Sequence, residues 1–163
     1  VLGFVTREMG LIVKRGNPLR VSGLQSLVDS GISFVNRDVG SGTRLLFEQL
    51  LAQGKINSDK ITGYQNVELT HAAVAAHVAR GMADTGFGVE AAAVECDLDF
   101  VHVITEDYFF ICRSNILNSK PVERLREIIG GTDYRRAVND LPGYSVSDAG
   151  VVKTVKKFFR ENG

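Results

Sequence analysis

The sequence predicts an α/β fold, a mixed and mostly parallel sheet flanked by helices. Two observations predict it. Short apolar, β-branched runs alternate with stretches whose apolar residues recur at helical spacing, which is the signature of βα units. Two of the helical stretches open on a hydroxyl residue, Ser41 and Thr70, and close on a glycine, Gly54 and Gly81. The chain of 163 residues, 44% of them hydrophobic, is long enough to bury a real core.

Taken in order, Val1 to Thr6 reads as a strand and Gly10 to Lys14 as a second. Asn17-Pro18 marks a turn, and Ser22 caps a short helix over Leu24 to Val28. Ile32 to Val35 is the next strand. A glycine turn follows, and then a helix from Gly42 to Ala52, with Leu45, Leu46, Phe47 and Leu50 as its apolar face and Gly54 at C′. A polar loop, Lys55 to Thr62, leads to a short strand at Gly63-Tyr64. Thr70 then caps an alanine- and valine-rich helix, His71 to Arg80, whose small residues suit close packing on a sheet.

After Gly81 a short strand and a short helix, Glu90 to Glu95, are expected. Phe100 to Ile104 and Tyr108 to Cys112 read as two further strands. Ser119 and Pro121 open a helix carried by Val122, Leu125, Ile128 and Ile129, and Thr132 caps the next, Asp133 to Leu141. Pro142-Gly143 turns the chain into a polar loop, Tyr144 to Gly150. The end, Val151 to Arg160, is an amphipathic basic helix with a solvated face.

Lysine plus arginine and aspartate plus glutamate both number 19, so the net charge is zero. That balance argues against this segment gripping nucleic acid by itself. No apolar run is long enough to insert in a membrane. Val1 is not an initiator methionine and no signal-peptide pattern is present, so a processed protein or a fragment is expected, with the compartment left open. Cys96 and Cys112 form no CxxC pair and no metal-ligand spacing, and are expected to be buried and reduced.

The stretch Asn36 to Arg44, NRDVGSGTR, lies between a strand and a helix start. The first helical N–H groups lack intrahelical partners and the dipole's positive end lies there, so such a junction can receive an anion. Gly40 and Gly42 let the backbone approach a ligand, and Ser41 and Thr43 add hydroxyls. A Ser-capped helix that binds nothing has the same local pattern. The P-loop pattern GxxxxGK[ST] fails for want of its lysine. Gly86 to Ala91 fits the loose GxGxxA form of the dinucleotide fingerprint, and Glu106 lies twenty residues on, but Met82 to Thr85 is a poor buried strand to precede it.

His71 and His77 lie about 120° apart on one helix at about 3.6 residues per turn, so they do not make a metal face. His102 reads as a half-buried strand histidine. Glu106-Asp107 and Asp97/Asp99 read as solvated loop charges, and neither GxSxG nor HExxH occurs. No catalytic residue, cofactor or metal is called for.

The order of the motifs says more than any one of them. Gly16-Asn17-Pro18-Leu19 is followed by Phe34-Val35-Asn36-Arg37 with Gly40 to Arg44. Then come Glu68-Leu69-Thr70-His71, Val78 to Gly86 (VARGMADTG) and Gly143 to Asp148 (GYSVSD). From about residue 7 to about 150 this series resembles the type II periplasmic-binding-protein-like domain of the molybdate-binding type. That domain occurs as a solute-binding protein, or fused to a helix-turn-helix or a molybdopterin-biosynthesis domain.

The resemblance implies a two-lobed fold hinged by crossover strands. One α/β ligand-binding lobe would span residues 7–106. Residues 1–6 and 107–163 would supply the crossover strands and part of the other lobe. A segment that usually precedes the position of Val1 is absent, so the second lobe is expected to be incomplete. Strand Tyr108 to Cys112 is then expected to pair with Val1 to Thr6 or with a second subunit, as in a homodimer.

Carried over residue by residue, the resemblance implies ligand contacts from Ser41, Gly42, Thr43, Thr70 and His71, with Arg44 within reach of the anion. Read from its position alone, just after the cap Thr70, His71 belongs to the structure of the helix start rather than to a ligand contact. Asp84 to Gly86 would shape the sheet edge and the hinge side. The function implied is a non-catalytic binding or sensing domain for a small oxyanion such as molybdate or tungstate. It would serve a transport system in the periplasm or a cytoplasmic regulator with a DNA-binding domain fused upstream. Two other readings stand at this point: an enzyme domain that anchors a phosphate-bearing substrate or dinucleotide at the glycine turns, and a structural module that binds nothing. A pocket with donors only would favour fully ionised anions over phosphate.

Overall fold

The computed structural model describes residues 1–28, 31–146 and 148–161. Ser147 of the GYSVSD stretch therefore lies outside the described residues. The chain divides into two compact units, one of residues 8–104 and one of residues 1–7 with 105–163. Two strands of twelve residues, β1 (Leu2–Val13) and β5 (Asp99–Phe110), run through both units.

The unit of residues 8–104 is built on β2 (Phe34–Arg37), β3 (Val67–Glu68) and β4 (Thr85–Val89), with β1 and β5 completing the strand order β3-β2-β4-β1-β5. β2 pairs parallel with both β3 and β4, and β1 pairs antiparallel with β4 from Met9↔Val89 to Val13↔Thr85. Every residue of β4 is buried, as a central strand requires. Phe47, on helix α1 (Gly42–Gln53), packs on the sheet with its ring 5.0 Å from Phe34 and 5.1 Å from Phe87. These rings join Met9, Leu11, Ile12, Val35, Val74 and Val78 in one core.

Helix α2 (His71–Ala79) buries Val74, Ala75 and Val78. Two glycines of β4 let it approach. A Cβ on Gly86 would overlap Val74 Cγ1, and one on Gly88 would sit 2.9 Å from Ile12 Cδ1 and 3.3 Å from His71 Nδ1. Gly86 and Gly88 are thus strand residues under a helix, not a phosphate-binding turn. Helix α3 (Glu90–Glu95) follows β4 directly, as the sequence predicts.

The unit of residues 1–7 and 105–163 combines one end each of β1 and β5 with α4 (Lys120–Gly130), α5 (Thr132–Asn139), the short strand β6 (Tyr144–Ser145) and α6 (Val155–Glu161). β6 pairs antiparallel with β1 at Thr6↔Ser145 and Arg7↔Tyr144. Phe4 packs against Phe110 and Tyr134, at 5.0 and 5.7 Å, and the Tyr134 hydroxyl donates to Phe4 O at 3.1 Å. The Phe109 and Phe158 rings lie 4.5 Å apart.

Several expected boundaries shift. The predicted pairs of strands at either end of β1 and of β5 are each one continuous strand, because the charges between them are matched. Arg7 Nε bonds Glu106 Oε2 at 2.8 Å, and Glu8 pairs with His102 at 2.6 Å. Glu106 is therefore a strand residue with a partner, and not a solvated loop charge. β5 ends at Phe110, short of Cys112, and lies beside β1.

The strand expected at Gly63-Tyr64 forms at Val67–Glu68 instead, and Gly63 takes a left-handed turn with φ 82°. Gly54 caps α1 at φ −76°, and Lys55 takes the left-handed position at φ 54°. Leu24–Val28 is a 3-10 turn, with Ser22 N donating to Ser26 Oγ. Gly131, not Thr132, precedes α5. Cys96 and Cys112 are free thiols as expected, but half-buried. Among the described residues no helix is long and apolar enough to cross a membrane.

Candidate functional site

β2 and β3 run side by side and parallel, in the register Asn36↔Val67 and Arg37↔Glu68. Their carboxyl ends leave the sheet together, and each leads within a few residues to a helix start. Two ties hold the connections: Asp38 N donates to Glu68 O at 3.2 Å, and Arg37 Nη2 to Leu69 O at 2.9 Å. Adjacent parallel strands that end at one edge are where open α/β sheets build sites.

Both helices start in the same way. Ser41, extended at φ −85° and ψ 140°, accepts Arg44 N on Oγ at 3.2 Å. Thr70, at φ −131° and ψ 160°, accepts Ala73 N on Oγ1 at 3.0 Å. Each cap satisfies the third N–H of its helix. The first two of each, on Gly42 and Thr43 and on His71 and Ala72, have no intrahelical acceptor and sit at the positive end of a dipole. Gly42 is exposed, and a Cβ there would meet nothing within 4 Å, so open space adjoins the α1 start.

The side chains bring the two starts together. Thr43, 5% exposed, places Oγ1 3.4 Å from His71 Nε2. Ser41 also donates its hydroxyl to Asp38 O at 2.7 Å, so its one proton is already committed. Asp38 Oδ2 accepts Gly40 N at 3.1 Å, closing the glycine turn.

Arg44 goes elsewhere. Its side chain, 5% exposed, bonds Glu48 Oε1 at 2.6 Å through Nε and covers the Tyr64 ring with the guanidinium carbon 4.2 Å from the centroid. The hydrogen bond from Arg44 holds the Glu48 carboxyl below its usual range, while burial pushes the Tyr64 phenol up. The expectation that Arg44 reaches the anion does not fit this placement. Its guanidinium holds α1 to the loop after it.

His77 lies deeper on α2, with Nδ1 3.1 Å from Glu68 Oε1. Asp84 sits at the far end of β4. It accepts Ser33 N at 2.9 Å and Ser33 Oγ at 2.6 Å. Burial opposes the charge, but these bonds and the nearby Lys14 outweigh it and hold the carboxyl below its usual range. Sequence reading placed Asn36 at the start of the NRDVGSGTR stretch but gave it no role; it is 1% exposed, its Oδ1 accepts Arg37 N at 2.9 Å and its Nδ2 donates to Tyr64 O at 3.2 Å. The signal was a polar residue at the end of an apolar strand.

The periplasmic-binding-protein (PBP) superfamily domain model matches residues 1–130. The chain belongs to that superfamily. It is 32% identical over 152 residues to YvgK, an uncharacterised protein of Bacillus subtilis (strain 168), covering 93% of this chain and 49% of that one. The chain thus spans about half the length of that relative.

Among solved structures, a candidate phosphate ABC transporter substrate-binding protein with bound phosphate, from Clostridium perfringens, superposes with a TM-score of 0.64. Identity is 13%, covering 89% of this chain and 70% of that one. The substrate-binding domain of a candidate molybdenum ABC transporter from Clostridium difficile gives 0.59 at 16% identity, covering 88% and 65%. At these identities the likeness is one of fold: a mixed α/β domain of the type II periplasmic-binding-protein kind, shared with solute-binding proteins.

Proposed function

We propose that this chain is a non-catalytic binding or sensing domain for a small tetrahedral oxyanion, molybdate or tungstate in the first place. The anion is held by the N–H groups of Gly42, Thr43, His71 and Ala72 and by the Thr43 hydroxyl. The observation that carries this reading is the Thr43–His71 contact at 3.4 Å, which sets two capped helix starts side by side. Helix starts of this kind favour anions through unpaired donors and the dipole together. Ser41 and Thr70 shape the starts as caps, and Arg44 stabilises α1 from behind.

Superfamily membership supports solute binding, and two fold neighbours are described as phosphate and molybdenum binders. The domain would serve a transport system or a regulator. The phosphate- or dinucleotide-anchoring enzyme reading lacks support from Gly86 and Gly88, which lie inside β4.

Thermal melting with molybdate, tungstate, sulfate and phosphate tests the proposal. An anion at about a hundred times its dissociation constant stabilises the fold by ~2.7 kcal/mol. Thr43→Ala removes one hydroxyl donor to a charged group and weakens binding by roughly 1.5–3 kcal/mol. A melting point that no anion raises would refute the reading.

A further inference from the structure

Gly16 to Leu19 and Asp84 belong to two of the sequence motifs, yet neither supplies a group to the two helix starts. They meet at the other end of β4. β1 pairs with β4 at Val13↔Thr85, which sets the end of β1 and the loop after it beside Asp84. A cavity of about 120 Å³ opens there, walled by Val13, Pro18, Leu19 and Val21 and flanked by Lys14 and Asp84. The loop that walls it is fixed. Asn17 Nδ2 donates to Val21 O at 2.8 Å, and Val21 N donates to Asn17 Oδ1 at 2.9 Å. Gly16, Asn17 and Arg20 stand at φ 77°, 42° and 52°, left-handed positions that a long side chain such as Arg20 adopts only at a cost. A wall held in this way need not be ordered by a ligand.

The two charges at the cavity are not spent on each other. Lys14 is half-buried, and its ammonium lies over Gly81, where a Cβ would be 3.5 Å from Nζ. Gly81 follows the end of α2, so Lys14 meets the negative end of that helix dipole. Among the described residues, however, the ammonium makes no hydrogen bond and no ion pair, and its three donors remain open. Asp84 accepts Ser33 N and Ser33 Oγ on Oδ2, and its Oδ1 holds no bond among the described residues. Burial opposes the Asp84 charge, and the Ser33 bonds and then Lys14 keep it ionised.

We propose that this cavity is a second ligand site, for a small zwitterion with an aliphatic side chain: an α-amino acid of the valine or leucine kind. The ligand carboxylate pairs with Lys14 Nζ and its ammonium with Asp84 Oδ1, as charge-assisted hydrogen bonds. The side chain fills the cavity against Val13, Pro18 and Val21. A dry cavity of about 150 Å³ admits benzene, so this slightly smaller one suits a side chain of about three or four carbons. The site shares no residue with the oxyanion site and does not rest on that reading.

Amide proton–nitrogen NMR of the wild-type protein with L-leucine tests it. Two comparison compounds are 4-methylpentanoate, which lacks the amine, and isopentylamine, which lacks the carboxylate. The expected result is saturable shifts at the amides of Lys14, Asn17, Leu19, Val21 and Asp84, with each comparison compound about tenfold or more weaker than leucine, the value of one charge-assisted hydrogen bond. Lys14→Met keeps the apolar stem and removes the charge. It should weaken leucine and 4-methylpentanoate about tenfold and leave isopentylamine no weaker. The compound series on the wild type needs no variant to fold. If 4-methylpentanoate binds as tightly as leucine, or leucine binds folded Lys14→Met as well as wild type, the zwitterion assignment is wrong. If leucine shifts none of these amides, the site itself is refuted, whatever molybdate does at Gly42, Thr43, His71 and Ala72.

Discussion

At the scale of single residues, the site rests on which polar atoms are already taken. Arg44 looked like an anion ligand because it ends the GSGTR run, but Glu48, one turn on in α1, takes its Nε and the folded loop brings the Tyr64 ring against its guanidinium. Arg44→Ala should therefore cost stability, about 1.5–3 kcal/mol for a hydrogen bond to a charged group. Denaturant unfolding checks this, and calorimetry should find anion affinity nearly unchanged in the folded variant. Lost affinity with unchanged stability would return Arg44 to the site.

Asp84 gives a pH prediction. Its folded pKa lies below its ordinary value, so its contribution is present above the unfolded pKa and is lost as pH falls through the folded one. Asp84→Asn should flatten the acid limb of the stability profile in that carboxylate range. The two profiles should converge at pH values below it.

Elements were legible where local chemistry fixes them. The caps Ser41 and Thr70, and the stop at Gly81 with φ 73°, announce α1 and α2 to within a residue or two. The long strands were not legible. Arg7 and Glu8 interrupt the apolar pattern of β1, and their partners Glu106 and His102 are about a hundred residues away. The short strand expected after Gly81 is β4, but why it carries two glycines makes sense only once α2 is seen packed on them.

Gly86→Ala tests that packing. The stiff Val74 side chain would have to move, at a cost of about 1–3 kcal/mol read in thermal or denaturant melts. Thr70→Ala should destabilise by about 0.5–2 kcal/mol and speed amide exchange in the first turns of α2.

At the scale of the whole molecule, the alternation of strands and helices gave the fold class, and the order of motifs gave the superfamily. The chemistry of the site was only half legible. Thr43 and His71 stand 28 residues apart, and nothing local says that their side chains meet. They meet because β2 and β3 are neighbours in parallel register.

The central claim, that an oxyanion sits at the two joined helix starts, is tested most directly by an amide proton–nitrogen NMR titration with molybdate. The account predicts saturable shifts concentrated at the backbone amides of Gly42, Thr43, His71 and Ala72, with Thr43→Ala weakening the titration. Shifts centred elsewhere, or none at any concentration of the anion, would contradict it.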